Sequence, residues 1–455
     1  MNPTFEKRME EMLKEETKAY LASLETPLFQ GLRLSNRKQD QERIQSQLSF
    51  LENPSPFASN AWYIHGQHGL HPFHLQGLFY LQEPSAGSAV TVLNPKPNDM
   101  VLDLCAAPGS KSTQILDYLD EKGFLWSNEI DAKRAQVLLS NMERMGAQNF
   151  AVSNMDSQTL CSQLPNTFDK ILVDAPCSGE GMMKKHEAAL EEWSYDNILL
   201  CSQRQKDILT QAWKALKPGG ELVYSTCTYA KEENEDNVAW LLNTFKDAKQ
   251  LDVNVSWGRP GLDTSNMDAS KVRRIFPMDG GEGHFIAKFQ KRADDIASVA
   301  PPSLPLAKSI KLPALAADFL HSQVAHGFNY YYSEPSKEGL RIYGMNHPFI
   351  QLKKGKVLRE GVFLGEVLKN RFEPAHAFYL SPLMAHEGLS KTETSLQEMD
   401  SFYHGQQLNI NAPKGFRALC YQGIPYGFGK SSQGRITNKL PKGLRLNPNS
   451  HIQEL

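Results

Sequence analysis

The sequence predicts an α/β protein built around one mostly parallel β-sheet. From residue 100 on, short apolar runs alternate with stretches of helical periodicity, such as 131–145 and 197–216. Strands that alternate with helices are typical of a parallel sheet covered on both faces. A further apolar run at 283–291 predicts one more strand that closes this domain. The runs of the alternating region are MVLDLC, GFLWSN, NFAVSN, KILVDA and GELVYS.

The composition is that of an ordinary globular protein. The chain has 455 residues, of which 40% are hydrophobic and 22% charged, and its length favours about two to four domains. No apolar run reaches the length of about 18 residues that a membrane helix needs. The charged N-terminus fits neither a secretory signal nor a transit peptide. We therefore expect a cytoplasmic protein, active as a monomer, with no membrane partner.

The cysteines and the net charge bear on metal binding, disulfide formation and nucleic-acid binding. The six cysteines form no CxxC pair, which argues against a metal site and a disulfide framework and fits a reducing cytoplasm. The net charge is −2, so any nucleic-acid binding must come from local patches.

Two segments outside the sheet region have clear signals. Residues 5–24 predict one amphipathic helix with a single apolar face. The Pro-rich segment at 297–309 predicts a linker. The apolar face of the helix consists of Phe5, Met9, Met12, Leu13, Tyr20 and Leu24.

A loop of small residues follows the first predicted strand. VLDLCAAPGSKS (101–112) reads as a strand, a loop and the start of a helix, the place where open α/β sheets bind ligands. The loop has neither the GxxxxGK[ST] nor the GxGxxG pattern, which argues against nucleoside triphosphates and dinucleotides. The small residues let the backbone approach a ligand closely.

Acidic residues lie at successive strand ends of this region. Glu129 stands twenty residues after Gly109, the spacing at which an acid binds ribose hydroxyls. An adenosine ligand without pyrophosphate fits this arrangement, and S-adenosyl-L-methionine is the obvious candidate. The alternative is that each acid only caps the helix that follows it, which four acids in register make less favourable. The four acids are Asp103, Glu129, Asp156 and Asp174.

Two thiols follow strands at the same predicted sheet edge. Cys177 lies in DAPCSG and Cys227 in STCT, each just after an apolar run. Cys161, Cys201 and Cys420 are predicted to be small buried hydrophobic residues instead.

These motifs resemble those of a known family, the Sun-type RNA (cytosine-5) methyltransferases. FDKILVDAPCSG (168–179) is similar to the signature of that family, DLCAAPGSK to its cofactor loop, YSTCT to its catalytic-cysteine motif and QEPSA (82–86) to a further motif. The C-terminal GIPYGFGK and LPKGLR resemble the RsmF-like bacterial branch, which modifies 16S ribosomal RNA. The chain has Ser110 and Ser112 where many members have Gly and Thr, and Glu129 where many have Asp.

The resemblance implies a fold and a division of the chain. It implies a Rossmann-like SAM-dependent methyltransferase sheet, an N-terminal RNA-facing subdomain and a C-terminal PUA-like α+β/β region. The predicted units are an N-terminal helical, RNA-facing subdomain at 1–92, a catalytic domain at 93–293, a linker at 294–309, an α+β domain at 310–384 and a PUA-like RNA-binding domain at 385–455.

The resemblance also implies roles for the catalytic residues. Cys227 is expected to attack C6 of cytosine, and Cys177 to assist release of the product. Asp174 is placed to contact the base near N3 and its amino group. Lys111 is expected to share that role or to stabilise the Cys227 thiolate.

S-adenosyl-L-methionine is the implied cofactor, and no metal is expected. Cys105 is predicted to contribute backbone and packing rather than reactivity. The residues predicted to bind the cofactor are Cys105, Ala106, Ala107, Pro108, Gly109, Ser110, Lys111, Glu129, Asp156 and Asp174.

Ribosomal RNA or the small ribosomal subunit is the implied partner, and a local basic stripe fits it. Between residues 430 and 445 five basic residues occur without an acid, which fits phosphate contacts; the alternative is an ordinary solvated face. QLKKGKVLRE (351–360) predicts a weaker patch. The aromatic residues of 57–80 either stack on bases or, more favourably, pack the N-terminal subdomain. The stripe consists of Lys430, Arg435, Lys439, Lys442 and Arg445.

Three alternative functions remain at this point. A transfer-RNA enzyme would share the same chemistry and the same first 300 residues. A non-catalytic RNA-binding or assembly factor would have no use for the pair formed by Cys177 and Cys227. Methylation of a protein side chain is less favoured, because nitrogen nucleophiles need no thiol.

Overall fold

The computed structural model describes residues 3–120, 122–184, 193–293 and 304–453. Its N-terminal region combines helices with a small antiparallel sheet of order β2-β3-β1-β4. The helical subdomain predicted for 1–92 therefore contains a sheet that the sequence did not predict. Its elements are α1 (Pro3–Leu13), α2 (Thr17–Leu24), β1 (Gly31–Leu34), α3 (Gln41–Gln45), β2 (Leu51–Pro54), β3 (Ala61–Ile64), α4 (Pro72–Leu75), β4 (Phe79–Leu81) and α5 (Ser88–Leu93).

The prediction of one continuous helix over 5–24 is wrong. The backbone of Lys14 has a φ of +50°, which interrupts the α-helix and separates α1 from α2 by a short 3-10 turn. The apolar face nevertheless forms as predicted, since Phe5, Met9 and Tyr20 are each 1% exposed.

The centre of the protein is a mixed sheet of order β10-β12-β9-β8-β5-β6-β7-β15, with β11 paired to β12. The middle strands β7, β6, β5, β8 and β9 are parallel, which confirms the predicted mostly parallel sheet. The elements of this region are β5 (Met100–Asp103), α6 (Ser110–Leu116), β6 (Phe124–Asn128), α7 (Ala132–Arg144), β7 (Phe150–Asn154), α8 (Ser157–Cys161), β8 (Phe168–Asp174), α9 (Tyr195–Ala215), β9 (Leu216–Thr226), α10 (Glu235–Thr244), β10 (Ala248–Leu251), β11 (Arg273–Ile275) and β12 (His284–Lys291).

Both faces of the central sheet are buried. Neighbouring residues of one strand belong to two different core clusters, as Leu102 and Val101 of β5 do. The same alternation holds in β9, where Tyr224 and Val223 face opposite sides. This pattern is what a sheet covered on both faces requires, and it explains why these strands read as continuous apolar runs.

The C-terminal region adds two four-stranded sheets, of order β13-β14-β16-β17 and β18-β19-β20-β21. Its elements are α11 (Ala314–Gln323), β13 (Tyr330–Pro335), β14 (Leu340–Met345), β15 (Lys356–Glu360), β16 (Val362–Leu368), β17 (Arg371–Pro374), α12 (His376–Leu380), α13 (Pro382–Glu387), β18 (Lys391–Glu393), α14 (Leu396–Tyr403), β19 (Gly415–Tyr421), β20 (Ile424–Ser432) and β21 (Arg435–Asn438).

One strand crosses the predicted division of the chain. β15 lies in the region predicted as a separate domain at 310–384, yet it pairs antiparallel with β7 of the central sheet. Within this strand Arg359 forms an ion pair with Glu143, so the weak basic patch predicted at 351–360 is in part an edge of the central sheet. The segment predicted as a linker lies outside the described residues from 294 to 303. No helix in the described part of the chain has the length and apolar character needed to span a membrane.

Two strand registers position the ends of the sheet that matter for function. In the parallel pair β8 and β9, Asp174 lies opposite Ser225. In the antiparallel pair β9 and β12, Thr226 lies opposite Phe285. The chain segments that follow Asp174 and Thr226 therefore leave the sheet side by side, next to the start of β12.

Candidate active site

The loop between β5 and α6 is fixed by its neighbours. The Ala106 N–H donates to the Asn128 carbonyl at 2.8 Å, and the Asn141 side chain donates to the Pro108 carbonyl at 2.9 Å. Gly109 has a φ of +112°, a conformation that favours glycine. The small residues of the predicted cofactor loop thus form an ordered turn at the end of β5.

A buried carboxyl lies beneath this loop. Asp103 is fully buried; its Oδ2 accepts from the Ser112 hydroxyl at 2.7 Å, and its Oδ1 has no partner among the described residues. Burial raises the pKa of Asp103 to about 7. S-adenosyl-L-methionine carries a sulfonium and an ammonium group, so an unpartnered buried carboxyl oxygen fits such a cofactor.

Two of the other three predicted acids, Glu129 and Asp156, differ from each other in their surroundings. Glu129 is buried and accepts from the Asp131 N–H at 2.9 Å. Asp156 is exposed and caps α8, because its two carboxyl oxygens accept from the N–H and hydroxyl of Thr159 at 2.8 and 2.7 Å. Those bonds lower the pKa of Asp156. Asp156 thus caps a helix, which was the alternative to cofactor binding for these acids. Its contact with a cofactor stays a prediction.

The two predicted catalytic thiols are brought together. Cys177 Sγ lies 3.3 Å from Cys227 Sγ, although fifty residues separate them in the chain. The hydrogen bond to Cys227, together with burial, raises the pKa of the Cys177 thiol well above its usual value. Cys177 is therefore a protonated thiol that can donate to the sulfur of Cys227.

An ion pair joins these thiols to the cofactor loop. Lys111 Nζ of α6 lies 2.7 Å from Asp174 Oδ2, and the Ser225 hydroxyl donates to Asp174 Oδ1 at 2.6 Å. Burial opposes charge on both partners, but their attraction outweighs it, raising the pKa of Lys111 and lowering that of Asp174. Both predicted base-contacting residues are thus charged and lie between cofactor loop and thiols.

A buried carboxylate that the sequence analysis missed holds the loop of Cys177. Glu233, which follows Cys227 in the chain, is fully buried. Its Oε2 accepts from the Ser178 N–H at 3.1 Å and from the Gln205 side chain at 2.7 Å, and its Oε1 accepts from the Ser178 hydroxyl. Glu233 thereby binds the residue next to Cys177.

A second missed carboxylate makes the converse contact. Glu180, which follows Cys177, accepts from the Thr228 hydroxyl and the Tyr229 N–H at 3.0 Å each, and from the Trp193 indole at 2.8 Å. Each thiol loop thus sends one buried glutamate into the other, and we call Glu180 and Glu233 the reciprocal clamp. In the sequence, the only sign of this contact is an acidic residue a few positions after each thiol. Exposed loops also contain acidic residues at such positions, so this sign could not identify Glu180 and Glu233.

The remaining sequence predictions about single residues concern packing. Cys161, Cys201 and Cys420 are buried, as predicted. Cys105 is half-buried, and burial raises its pKa well above the usual value, which agrees with a packing role. Most of the aromatic residues at 57–80 are buried, so packing rather than base stacking is their main role; these are Phe57, Phe73, Phe79 and Tyr80.

Most of the predicted basic stripe is exposed. Arg435, Lys442 and Arg445 are exposed, and so is Lys430, whose Nζ lies over the Phe416 ring. Lys439 instead forms an ion pair with Glu373 at 2.7 Å.

One group of side chains in the described part of the chain has the residue types of a metal site, namely Asp400, His404 and His451. The Nδ1 atom of His404 lies 2.8 Å from the main-chain oxygen of Asp400 and donates to it. This nitrogen therefore carries a proton and is not free to bind a metal. We assign no metal to the cluster.

Comparison with known proteins identifies the family. A family model for 16S rRNA methyltransferase RsmB/F matches residues 90–290, and models for the N-terminal, first C-terminal and PUA domains of RsmF match 1–84, 321–381 and 390–446. The ribosomal RNA small subunit methyltransferase F of Vibrio parahaemolyticus is 31% identical over 93% of each chain. This chain belongs to the ribosomal RNA small subunit methyltransferase F family. The same-named protein of Klebsiella pneumoniae is 31% identical over 93% of this chain and 92% of its own.

Solved structures agree with this family assignment. A methyltransferase homolog protein from Pyrococcus horikoshii is 28% identical, with a TM-score of 0.58 over 64% of this chain and 95% of that one. NSun6 from Pyrococcus horikoshii, solved with SFG, is 24% identical with a TM-score of 0.56 over 63% of this chain and 97% of that one, and shows the fold alone. The predicted membership of the RsmF-like branch, the methyltransferase sheet and the C-terminal PUA region are confirmed.

Replacing Glu233 by Gln tests the cost of one carboxyl of the reciprocal clamp. Burial raises the pKa of Glu233 from an ordinary value of 4.5 to about 7, so the folded state binds the proton more tightly than the unfolded chain. The carboxyl therefore costs stability as pH rises through this window. We expect the free energy of unfolding of Glu233→Gln, measured in urea, to rise by about 3 kcal/mol relative to that of the wild type as the pH increases from about 4.5 to about 8.

Glu232→Gln is the matched control for this measurement. Arg8 pairs with Glu232 at 2.7 Å and, outweighing burial, lowers the pKa of this neighbouring carboxyl. Glu232 thus adds stability that is lost only as pH falls below about 4.5, so Glu232→Gln should show no change in stability relative to the wild type between about pH 4.5 and pH 8. Parallel pH curves for wild type and Glu233→Gln would show that the folded environment does not raise the pKa of Glu233.

Proposed function

We propose that this protein is an S-adenosyl-L-methionine-dependent methyltransferase that forms 5-methylcytosine in 16S ribosomal RNA of the small subunit. The names of its relatives support the RNA substrate. The observation that carries the cytosine C5 chemistry is the 3.3 Å contact between Cys177 Sγ and Cys227 Sγ, beside the ion pair of Lys111 and Asp174. A nitrogen nucleophile would need no such pair of thiols.

The proposed reaction starts with covalent activation of the base. C5 of cytosine is a poor nucleophile, and addition of the Cys227 thiolate to C6 converts the ring into an enamine whose C5 can attack a methyl group. Negative charge develops on the ring during this addition. Lys111, 2.7 Å from Asp174, is placed to disperse that charge by donating a hydrogen bond or proton at N3, and the Asp174 carboxylate is placed to accept from the amino group of the base.

The second thiol serves the end of the reaction. A base removes the C5 proton of the methylated adduct, the electron pair of that C–H bond forms the C5=C6 double bond, and the electron pair of the C6–S bond returns to the sulfur of Cys227. Cys177, a protonated thiol at 3.3 Å, donates to that sulfur and so stabilises the leaving group. The reciprocal clamp keeps the two sulfurs at this distance by fixing both loops.

The cofactor supplies an electrophilic methyl group when bound. The residues that would hold it are those of the ordered loop at Cys105–Lys111, the unpartnered oxygen of Asp103, and Glu129. The proposed cofactor site and the thiols share the carboxyl ends of adjacent parallel strands, where open α/β sheets bind ligands.

The substrate choice has two alternatives. A transfer-RNA substrate would use the same sheet and thiols, but the match to the RsmF PUA and first C-terminal domains favours ribosomal RNA. A non-catalytic assembly factor would not need the contact between Cys177 and Cys227. We infer that the exposed basic stripe of the PUA region binds RNA phosphates.

Single replacements of the two thiols test the mechanism. Cys227→Ala should abolish methylation, because C5 is not activated without the adduct. Cys177→Ala should still attack and methylate but stall as a covalent protein–RNA complex, since the departing sulfur loses its donor. The complex is measured by denaturing gel electrophoresis with labelled 16S RNA.

Two further variants make this experiment decisive. The complex should disappear in the double variant that also lacks the thiol of Cys227, and Cys201→Ala, which removes a buried thiol elsewhere, should behave as the wild type. An adduct that accumulates in Cys227→Ala but not in Cys177→Ala would reverse the two roles.

Replacement of Glu129 tests the cofactor site. Glu129 is buried at the edge of the loop, and loss of a charge-assisted hydrogen bond to the ribose should weaken S-adenosyl-L-methionine binding by about 1.5–3 kcal/mol. Calorimetry on Glu129→Ala, with folding checked by circular dichroism, measures the effect. Unchanged affinity in the folded variant contradicts the assignment. Glu143→Ala, on the outer side of α7 and paired with Arg359, is the control.

The basic stripe is tested through the salt dependence of RNA binding. Replacing Arg435, Lys442 and Arg445 by Gln should weaken binding and reduce the slope of log affinity against log salt by up to about 2–3, while cofactor binding stays unchanged. Lys439→Gln should have a smaller effect, because Glu373 already pairs with this lysine. An unchanged slope in the triple variant would show that the stripe does not contact phosphates.

A further inference from the structure

The start of β12 carries a histidine that neither the motifs nor the proposed chemistry uses. His284 is the first residue of β12, next to Phe285, which lies opposite Thr226 of β9. Because β9 and β12 are antiparallel, His284 lies beside the position of Cys227. Its side chain is 7% exposed.

His284 is electrostatically coupled to the residues proposed to contact the base. Burial and the charge of Lys111 lower the pKa of His284. Together with the strand register that places His284 beside Cys227, this puts the imidazole at the same end of the sheet as the ion pair of Lys111 and Asp174.

The hydrogen bonds around His284 fix its tautomer. The Ser85 hydroxyl has one proton, and it donates this proton to Glu83 Oε2 at 2.6 Å. The oxygen of Ser85 must then accept from Nδ1 of His284, which lies 2.9 Å away. Nδ1 thus carries the ring proton, and Nε2 has a free lone pair. Nε2 makes no hydrogen bond within the described part of the chain.

This lone pair stays available over the physiological range. Burial and the nearby Lys111 lower the pKa of His284 to about 3, so the imidazole is neutral. A neutral imidazole with its proton held by Ser85 can only accept at Nε2. It is also too weak a base to remove a proton from carbon efficiently, which favours a role in recognition.

We propose that His284 is a specificity-determining residue whose Nε2 accepts a hydrogen bond from the exocyclic amino group of the target cytosine. This inference rests on the proposed cytosine-5 methylation. Cytosine presents an N–H₂ donor at its C4 position, and uracil presents an oxygen acceptor there. A fixed acceptor attracts the first base and repels the second. The amino group has two protons, so Asp174 and His284 each accept one.

The geometry gives Glu83 and Ser85 a positioning role in this recognition. Glu83 accepts from the Ser85 N–H at 2.9 Å and from the Glu282 N–H at 3.1 Å, which fixes its carboxylate between two segments of the chain. The carboxylate orients the Ser85 hydroxyl, and the hydroxyl orients the imidazole. The QEPSA motif at 82–86 thus acts on the target base through His284.

The test compares cytosine with 2-pyrimidinone, which lacks the amino group, at the modified position of a 16S RNA fragment mapped beforehand by bisulfite sequencing. In the Cys177→Ala background, where the adduct accumulates, the rate of covalent adduct formation at limiting RNA should favour cytosine; adding His284→Phe should lower this preference about tenfold, the effect of one buried hydrogen bond. His284→Gln, whose amide oxygen can accept a hydrogen bond, should recover part of the preference for cytosine. Ser85→Ala removes the acceptor that holds the proton on Nδ1, so this variant should lose part of the same preference.

The ratio of the two substrates separates recognition from stability, since misfolding lowers both rates together. His376→Phe, which removes a half-buried histidine packed near Phe428, is the matched control and should leave the ratio unchanged. The same ratio with and without His284→Phe in the Cys177→Ala background overturns the proposal. If the Cys177→Ala protein forms no adduct with cytosine RNA at all, the proposed function itself fails, and the two failures are thereby distinguished.

Discussion

The site depends on one strand register, the parallel pairing of β8 with β9 that places Asp174 opposite Ser225. This register determines where both thiol loops leave the sheet and allows the Ser225 hydroxyl to bind the carboxylate that faces Lys111. A shift by one residue would turn every side chain of the strand to the other face. Such a shift would also separate Lys170 of β8 from Glu221 of β9, which lie opposite each other and form an ion pair at 2.5 Å.

The site concentrates buried charge at a cost in stability. Burial raises the pKa of Asp103, Glu180 and Glu233, so each of these carboxyls is destabilised as an ion in the folded protein. Such groups are retained where they bind or position something. The reciprocal clamp accounts for two of them through loop contacts, and the free oxygen of Asp103 fits a cationic cofactor. The electrostatics of the site thus follow the proposed division into cofactor and base-binding parts.

Sequence analysis predicted the parts of the site that local patterns encode. The apolar runs predicted the strands of the central sheet, and the motifs around Cys177 and Cys227 predicted that the two thiols share an edge. Sequence analysis could not predict contacts between distant segments. Glu180 and Glu233 each bind the loop of the other, and the pairing of β12 with β9 places His284 beside Cys227.

Other predictions failed or changed for identifiable physical reasons. The N-terminal sheet and the pairing of β15 with β7 depend on long-range strand partners that short apolar runs do not specify. The break between α1 and α2 comes from a single backbone conformation at Lys14. Asp156 kept its predicted position at a strand end, but Thr159 occupies both of its oxygens.

The central claim is that this protein methylates C5 of cytosine in small-subunit ribosomal RNA. Bisulfite sequencing of 16S RNA tests it most directly, because 5-methylcytosine resists conversion whereas cytosine does not. In cells that lack the gene, at least one cytosine should lose its protection, and a plasmid-borne copy of the wild-type gene should restore it. Identical protection of every cytosine in cells with and without the gene would contradict the account.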